Sequence, residues 1–140
     1  TQASAPTRWD ASSQNILWKI PIAGRGSGSP IVWRDRAYVT TAVPVAPDSE
    51  KLSFQLWCID IRSGKPLWQK TAIEAIPHEG THSTNGYASA SPCTDGRYIY
   101  AHFGSRGLYC YDLEGNLVWD YDFGKMTIRN GFGEGSSPTI

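Results

Sequence analysis

The string His78-Glu79-Gly80-Thr81-His82 carries the letters of a zinc-protease site, H-E-x-x-H. That chemistry needs two imidazoles four residues apart on one helix face, with the glutamate beside them as general base. The flanking residues do not encode a helix: Pro77 precedes the string, Gly80 interrupts it, and Ser83-Thr84-Asn85-Gly86 follows, all of it turn and loop chemistry. The string therefore reads as a polar loop, with no metal and no catalytic group expected. His78, His82 and Asn85 are its candidates for touching a ligand, and Arg106, in a second break between apolar runs, joins them.

Other suggestive residues reduce in the same way. Gly24-Arg25-Gly26-Ser27-Gly28 and Gly131-Phe132-Gly133-Glu134-Gly135 have the composition of phosphate loops. A phosphate cradle needs a helix N-terminus behind it, whereas each of these runs leads into a Ser-Pro strand and reads as a flexible approach to it. The three cysteines include no closely spaced pair that suggests zinc or redox chemistry. Cys58 and Cys110 read as small buried thiols, and pairing of either with Cys93 stays open on sequence. Asp60 and Asp112 are placed to support turns through side-chain to backbone hydrogen bonds. His102 lies in a strand run and reads as structural, while Lys51, Lys125 and Arg129 read as solvated.

Composition bounds what could position such residues. A chain of 140 residues is one domain's worth, and 40% hydrophobic with 12% aromatic content is ample for a buried core. Thirteen basic residues balance thirteen acidic ones, which leaves no electrostatic footprint for nucleic acid or an anionic membrane. No stretch has the length and apolarity of a transmembrane segment, and no signal peptide is evident. A first residue other than Met is what a removed leader, or a fragment, would give.

The elements emerge from a repeat. Residues 87–119 hold four short apolar runs separated by turn residues and close on Trp119, one antiparallel meander in about thirty residues. Leu56-Trp57-Cys58-Ile59-Asp60 followed by Gly64-Lys65-Pro66-Leu67-Trp68 matches Leu108-Tyr109-Cys110-Tyr111-Asp112 followed by Gly115-Asn116-Leu117-Val118-Trp119, type by type. Ser29-Pro30 recurs as Ser91-Pro92 and Ser137-Pro138, and Trp18, Trp68 and Trp119 stand 50 and 51 residues apart. This is close to the spacing of propeller blades, four-stranded sheets that bury their faces only by stacking on one another.

Strands are expected at residues 28–33, 36–42, 53–60 and 65–70 in a first full blade, and at 87–93, 97–103, 107–112 and 116–121 in a second. Residues 1–15 read as a flexible arm, 16–22 as the outer strand of another blade, and 135–140 as the start of a further one. The fold class is therefore all-β, an incomplete portion of a β-propeller with four-stranded antiparallel blades. Closed propellers need about four to eight blades, so the remainder is expected from a longer chain or from self-association. Within each blade the connections between the first and second and between the third and fourth strands are tight turns. The others are mostly longer, which leaves one face clipped and the opposite face elaborated, where binding residues usually sit.

These motifs resemble the PQQ-like (pyrroloquinoline-quinone-type) β-propeller repeat. The family includes bacterial quinoprotein dehydrogenases, an outer-membrane assembly lipoprotein and many exported bacterial proteins. The resemblance implies that Trp18, Trp68 and Trp119 each dock one blade on the next, and that the protein is periplasmic or extracellular. It does not imply the quinone: the dehydrogenases hold it with calcium and with acidic and Asn ligands, often under a disulfide of adjacent cysteines, and this chain has neither the adjacent pair nor the acidic cluster. The expectation is a non-catalytic scaffold binding protein, peptide or glycan, without a cofactor. The alternative is a piece of a quinoprotein dehydrogenase or other propeller enzyme whose catalytic residues lie elsewhere.

Overall fold

The computed structural model describes residues 6–10 and 15–140. Eight strands form two antiparallel sheets, each a meander in chain order. The first holds β1 (Ile31–Trp33), β2 (Arg36–Pro44), β3 (Leu52–Asp60) and β4 (Pro66–Ala75). The second holds β5 (Cys93–Thr94), β6 (Tyr98–His102), β7 (Leu108–Asp112) and β8 (Leu117–Tyr121).

Side chains alternate across each strand, and the register converts that alternation into faces. Tyr38 pairs with Cys58 and Cys58 with Trp68, while Tyr100 pairs with Cys110 and Cys110 with Trp119. Each sheet thus carries one Tyr-Cys-Trp row across its middle. The first sheet lays Tyr38, Phe54, Leu56 and Cys58 against Ile99, Ala101, Tyr109 and Tyr111 of the second, and this interface is the core. Phe54 and Phe103 meet edge to face across it, ring centroids 5.5 Å apart. Each large apolar side chain buried there contributes about 1.5–3 kcal/mol.

The turns follow from their polar residues. The Asp60 carboxylate accepts from the backbone of Arg62 and Ser63, at 3.1 and 2.7 Å, and Asp112 does the same for Glu114 and Asn116, at 3.0 and 2.8 Å. These bonds hold both carboxyls below the ordinary carboxylate range, led by the Ser63 hydroxyl at Asp60 and the Asn116 amide at Asp112.

The middle and outer strands fall within a few residues of the expected spans, but the inner ones are shorter. Residues 28–33 give only Ile31–Trp33 and residues 87–93 only Cys93–Thr94. Pro30 and Pro92 lack the N–H a ladder requires, and the residues before them bond to the neighbouring blade instead. Ser27 N–H donates to Ala88 O at 3.0 Å, Ser29 N–H to Ser91 Oγ at 2.8 Å, and Ser91 N–H to Ser137 Oγ at 2.9 Å. The close approach explains the glycines: a Cβ on Gly28 would lie 2.5 Å from Ala90 O.

Residues 16–22 and 135–140 are extended but pair into no strand. Both are held from the side, the first by Trp18 on Ile61 O at 2.6 Å, the second by His102 on Ser136 O at 2.8 Å. Of the arm expected at 1–15, residues 1–5 and 11–14 lie outside the described residues. Among the described residues, no helix is long and apolar enough to cross a membrane.

Candidate functional site

The connections divide by length as the meander requires. Arg34-Asp35 and residues 61–65, 95–97 and 113–116 turn tightly, whereas 45–51, 76–92, 103–107 and 122–135 are mostly longer and gather at the opposite ends of the strands. Three of these connections, 76–92, 103–107 and 122–135, clasp one another. Phe132 O accepts from Asn85 Nδ2 at 2.8 Å and from Thr81 Oγ1 at 3.2 Å, and Glu79 Oε1 accepts from Ile128 N–H at 3.2 Å. Glu134 accepts from the backbone N–H of Ser105 at 2.5 Å and from its hydroxyl, and Met126 N–H donates to Ser105 Oγ at 2.7 Å.

His78 sits at the middle of the clasp. Arg106 Nη2 donates to its Nδ1 at 2.8 Å, and its Nε2 lies 2.7 Å from Met126 O. A guanidinium has no acceptor, so Nδ1 carries the lone pair and Nε2 carries the proton, donated to the carbonyl. Both ring nitrogens are thereby committed. His78, Glu79 and Glu134 offer ligand atoms within 4.8 Å of one another, a spacing that could gather a cation. Each of the three is nonetheless engaged in holding the loops, and a guanidinium already occupies the imidazole lone pair. The cluster serves the clasp.

The other expected ligand-face residues are distributed around it. His82 turns to Thr84 Oγ1 at 2.8 Å and sets its ring edge against Phe132, centroids 5.8 Å apart. It does not join His78, because the segment forms no helix. Asn85 also accepts, from Gly86 N–H at 2.8 Å and from the Ser89 hydroxyl. Inside the clasp lies a cavity of about 20 Å3 lined by Phe54, His78, Tyr87, Phe103, Arg106 and Glu134, room for one water molecule. An open groove of about 460 Å3 adjoins it, lined by Glu50, Leu52, Ile76, Pro77, Glu79 and Tyr87. Glu134, Ser105 and Phe132 carry no sequence signal of their role, since contacts between residues 29 to 51 positions apart leave no local pattern.

The tryptophans show a second arrangement. Trp18 Nε1 donates to Ile61 O at 2.6 Å, and a Cβ on Gly64 would lie 2.6 Å from its ring. Trp68 Nε1 donates to Leu113 O at 3.1 Å, and a Cβ on Gly115 would lie 2.8 Å from its ring. Trp119 makes no such contact among the described residues and stays 43% exposed, unlike the burial between blades that the repeat leads one to expect. The turn at residues 113–116 that covers Trp68 has no counterpart against Trp119 among the described residues. Cys58, Cys93 and Cys110 are all free, Cys58 and Cys110 fully buried. Burial pushes the Cys58 thiol up to about 11.

A family model described as outer membrane protein assembly factor BamB matches residues 3–135. The chain belongs to this family of PQQ-like propellers. Membership accounts for the blade repeat, and two stacked sheets that do not close make this an incomplete propeller. No curated protein matches the chain significantly. Among solved structures it is similar to BamB from Moraxella catarrhalis, at 12% identity and a TM-score of 0.40, covering 74% of this chain. The chain spans 38% of the length of that protein.

Proposed function

We propose that this chain is a non-catalytic module of an exported propeller, a scaffold that holds a protein, peptide or glycan on its face of long loops. The clasp carries this reading. It commits His78, Glu79, Glu134 and Arg106 to fixing three connections against one another. Loops fixed in this way present a surface at little entropic cost on binding. A role in assembling outer-membrane proteins, and with it a periplasmic location, is the form of the reading that the family supports. Trp18, Trp68 and Trp119 act as blade-docking groups, and the blades needed to close a ring come from a longer chain or from self-association.

The test is a photo-crosslinking amino acid placed, in the full-length protein in its native host, at Thr81 on the long-loop face or at Lys65 on the short-turn face. Discrete adducts from Thr81 and none from Lys65 are expected, with the protein in the periplasmic fraction. Equal labelling from both faces, or adducts from Lys65 alone, would overturn the assignment of the binding face. Titration with pyrroloquinoline quinone and calcium is expected to give no saturable heat; tight stoichiometric binding would replace the scaffold with an enzyme.

A further inference from the structure

The open groove beside the clasp is walled by carboxylates that have no cation. Its surface is apolar at Leu52, Ile76, Pro77 and Tyr87 and acidic at Glu50 and Glu79. Ile76 is 57% exposed there. The flanking stretches 45–52 and 71–80 hold Asp48, Glu50, Glu74 and Glu79 against a single lysine, Lys51. Lys51 is spent on Glu74 at 2.8 Å, the ion pair found among the described residues. Arg106 lines the neighbouring cavity and spends a guanidinium nitrogen on His78. Asp48, Glu50 and Glu79 are left without an ion-pair partner among the described residues. Of these, Glu50 and Glu79 line the groove and set negative charge beside an apolar surface large enough to take a side chain.

We propose that this groove binds a Lys or Arg side chain of an extended peptide segment from a partner protein. Long basic side chains lay an aliphatic stem along apolar surface and carry a charged head beyond it. Leu52, Ile76 and the Tyr87 ring suit the stem, and Glu50 and Glu79 suit the head. An acidic peptide meets like charge, so the groove selects by sign as well as by shape. This inference rests on the reading that the long-loop face is the binding face, and it names the class of partner.

The test is an amide chemical-shift titration of the full chain at low salt with acetyl-Leu-Arg-Leu-amide, acetyl-Leu-Ser-Leu-amide and acetyl-Leu-Glu-Leu-amide. The arginine peptide is expected to shift the amides of residues 49–52, 76, 78–80 and Tyr87 and to bind about tenfold more tightly than the serine peptide, about 1.4 kcal/mol. Added salt weakens it, and the glutamate peptide binds least. The variant Glu50→Gln should lower arginine-peptide affinity toward that of the serine peptide with the remaining amides unmoved, since Glu50 lines the groove and takes no part in the clasp. Equal affinity for all three peptides, salt-independent binding, or a Glu50→Gln variant that binds like the parent would overturn the proposal. If the serine peptide binds in the groove as tightly as the arginine peptide, the charge selection fails while the long-loop binding face stands. Crosslinking from Lys65 alone removes the face itself.

Discussion

The two blades carry the same row of side chains in different surroundings. Tyr38 and Trp68 lie with ring centroids 5.8 Å apart at 51°, and Tyr100 and Trp119 at 5.9 Å and 49°. The match extends to the edges of the row: Thr40 Oγ1 donates to Ala90 O at 3.0 Å where His102 Nδ1 meets Ser136 O at 2.8 Å, and Ala90 and Ser136 each precede a Ser-Pro. Yet Tyr38 is wholly buried against the second blade, whereas Trp119 is 43% and Tyr121 60% exposed. Identical local geometry thus gives a core in one place and a surface in the other. What makes the first row a core is the blade packed against it.

The sharpest way to break this comparison is to remove the two tryptophans in turn. Trp68→Ala is expected to cost about 3 kcal/mol, through lost packing on Gly115 and the loss of one of the two bonds on the Leu113 carbonyl, the other coming from Arg36 Nη1. Trp119→Ala in this chain should cost under about 1 kcal/mol, as exposed positions do. Urea denaturation followed by fluorescence checks both. Equal losses would mean that the second row is already covered. In a protein with a following blade, the two costs should converge.

A somewhat smaller effect isolates the docking contact from backbone strain. Gly115 and Gly124 both have positive φ, +83° and +75°, but a Cβ on Gly115 would press on Trp68 and Lys70 while one on Gly124 meets nothing within 4 Å. Alanine at either site pays about 1–2 kcal/mol for the left-handed backbone. Gly115→Ala should pay a further 1 kcal/mol or so for displacing the indole. Thermal melts that show the same loss for both variants would sever the turn from the docking.

How far the sequence foretold this follows from where the physics is local. The Asp-turn-Gly-Trp spacing is set within one hairpin, so the outer strands and the equivalent Cys and Trp positions of the two blades could be read directly. The inner strands could not, because Pro30 and Pro92 turn their neighbours' hydrogen bonds toward another blade, an interaction between residues such as Ser29 and Ser91 that no window contains. His78 and Arg106 were visible as residues of the long connections, but their contact with each other, and the Glu134 to Ser105 bonds beside it, depend on how three loops meet. The exposure of Trp119 depends on a neighbour that its own blade does not encode.

A third pair of variants should change sign between the blades. The Tyr38 hydroxyl is buried without a hydrogen-bond partner of good geometry. Burial pushes this phenol up to about 12, with nearby Arg36 pulling the other way. Tyr100, by contrast, donates to Asp95 Oδ2 at 3.0 Å. Removing an unsatisfied buried hydroxyl relieves its desolvation, so Tyr38→Phe is expected to stabilise by about 1 kcal/mol, and Tyr100→Phe to destabilise by about 0.5–1 kcal/mol. Shifts of the urea midpoint in the same direction would show that the two phenols are not in contrasting states.

The smallest effect is one in which the blades should agree. Asp60 and Asp112 hold equivalent turns, and each has its pKa lowered by the groups it accepts from. A carboxyl whose folded pKa lies below its unfolded value contributes stability that is fully present above the ordinary carboxylate range, near 3.9. That contribution fades as pH falls through the lowered folded values. The urea midpoint should therefore be flat from neutral pH to about 5 and then decline on further acidification. Asp60→Asn and Asp112→Asn should each make the acid limb shallower by a similar amount, since both carboxylates cap equivalent turns of the repeat. A shallower limb in one variant alone would mean that the turns, unlike the aromatic rows, differ in strength before any neighbouring blade is considered.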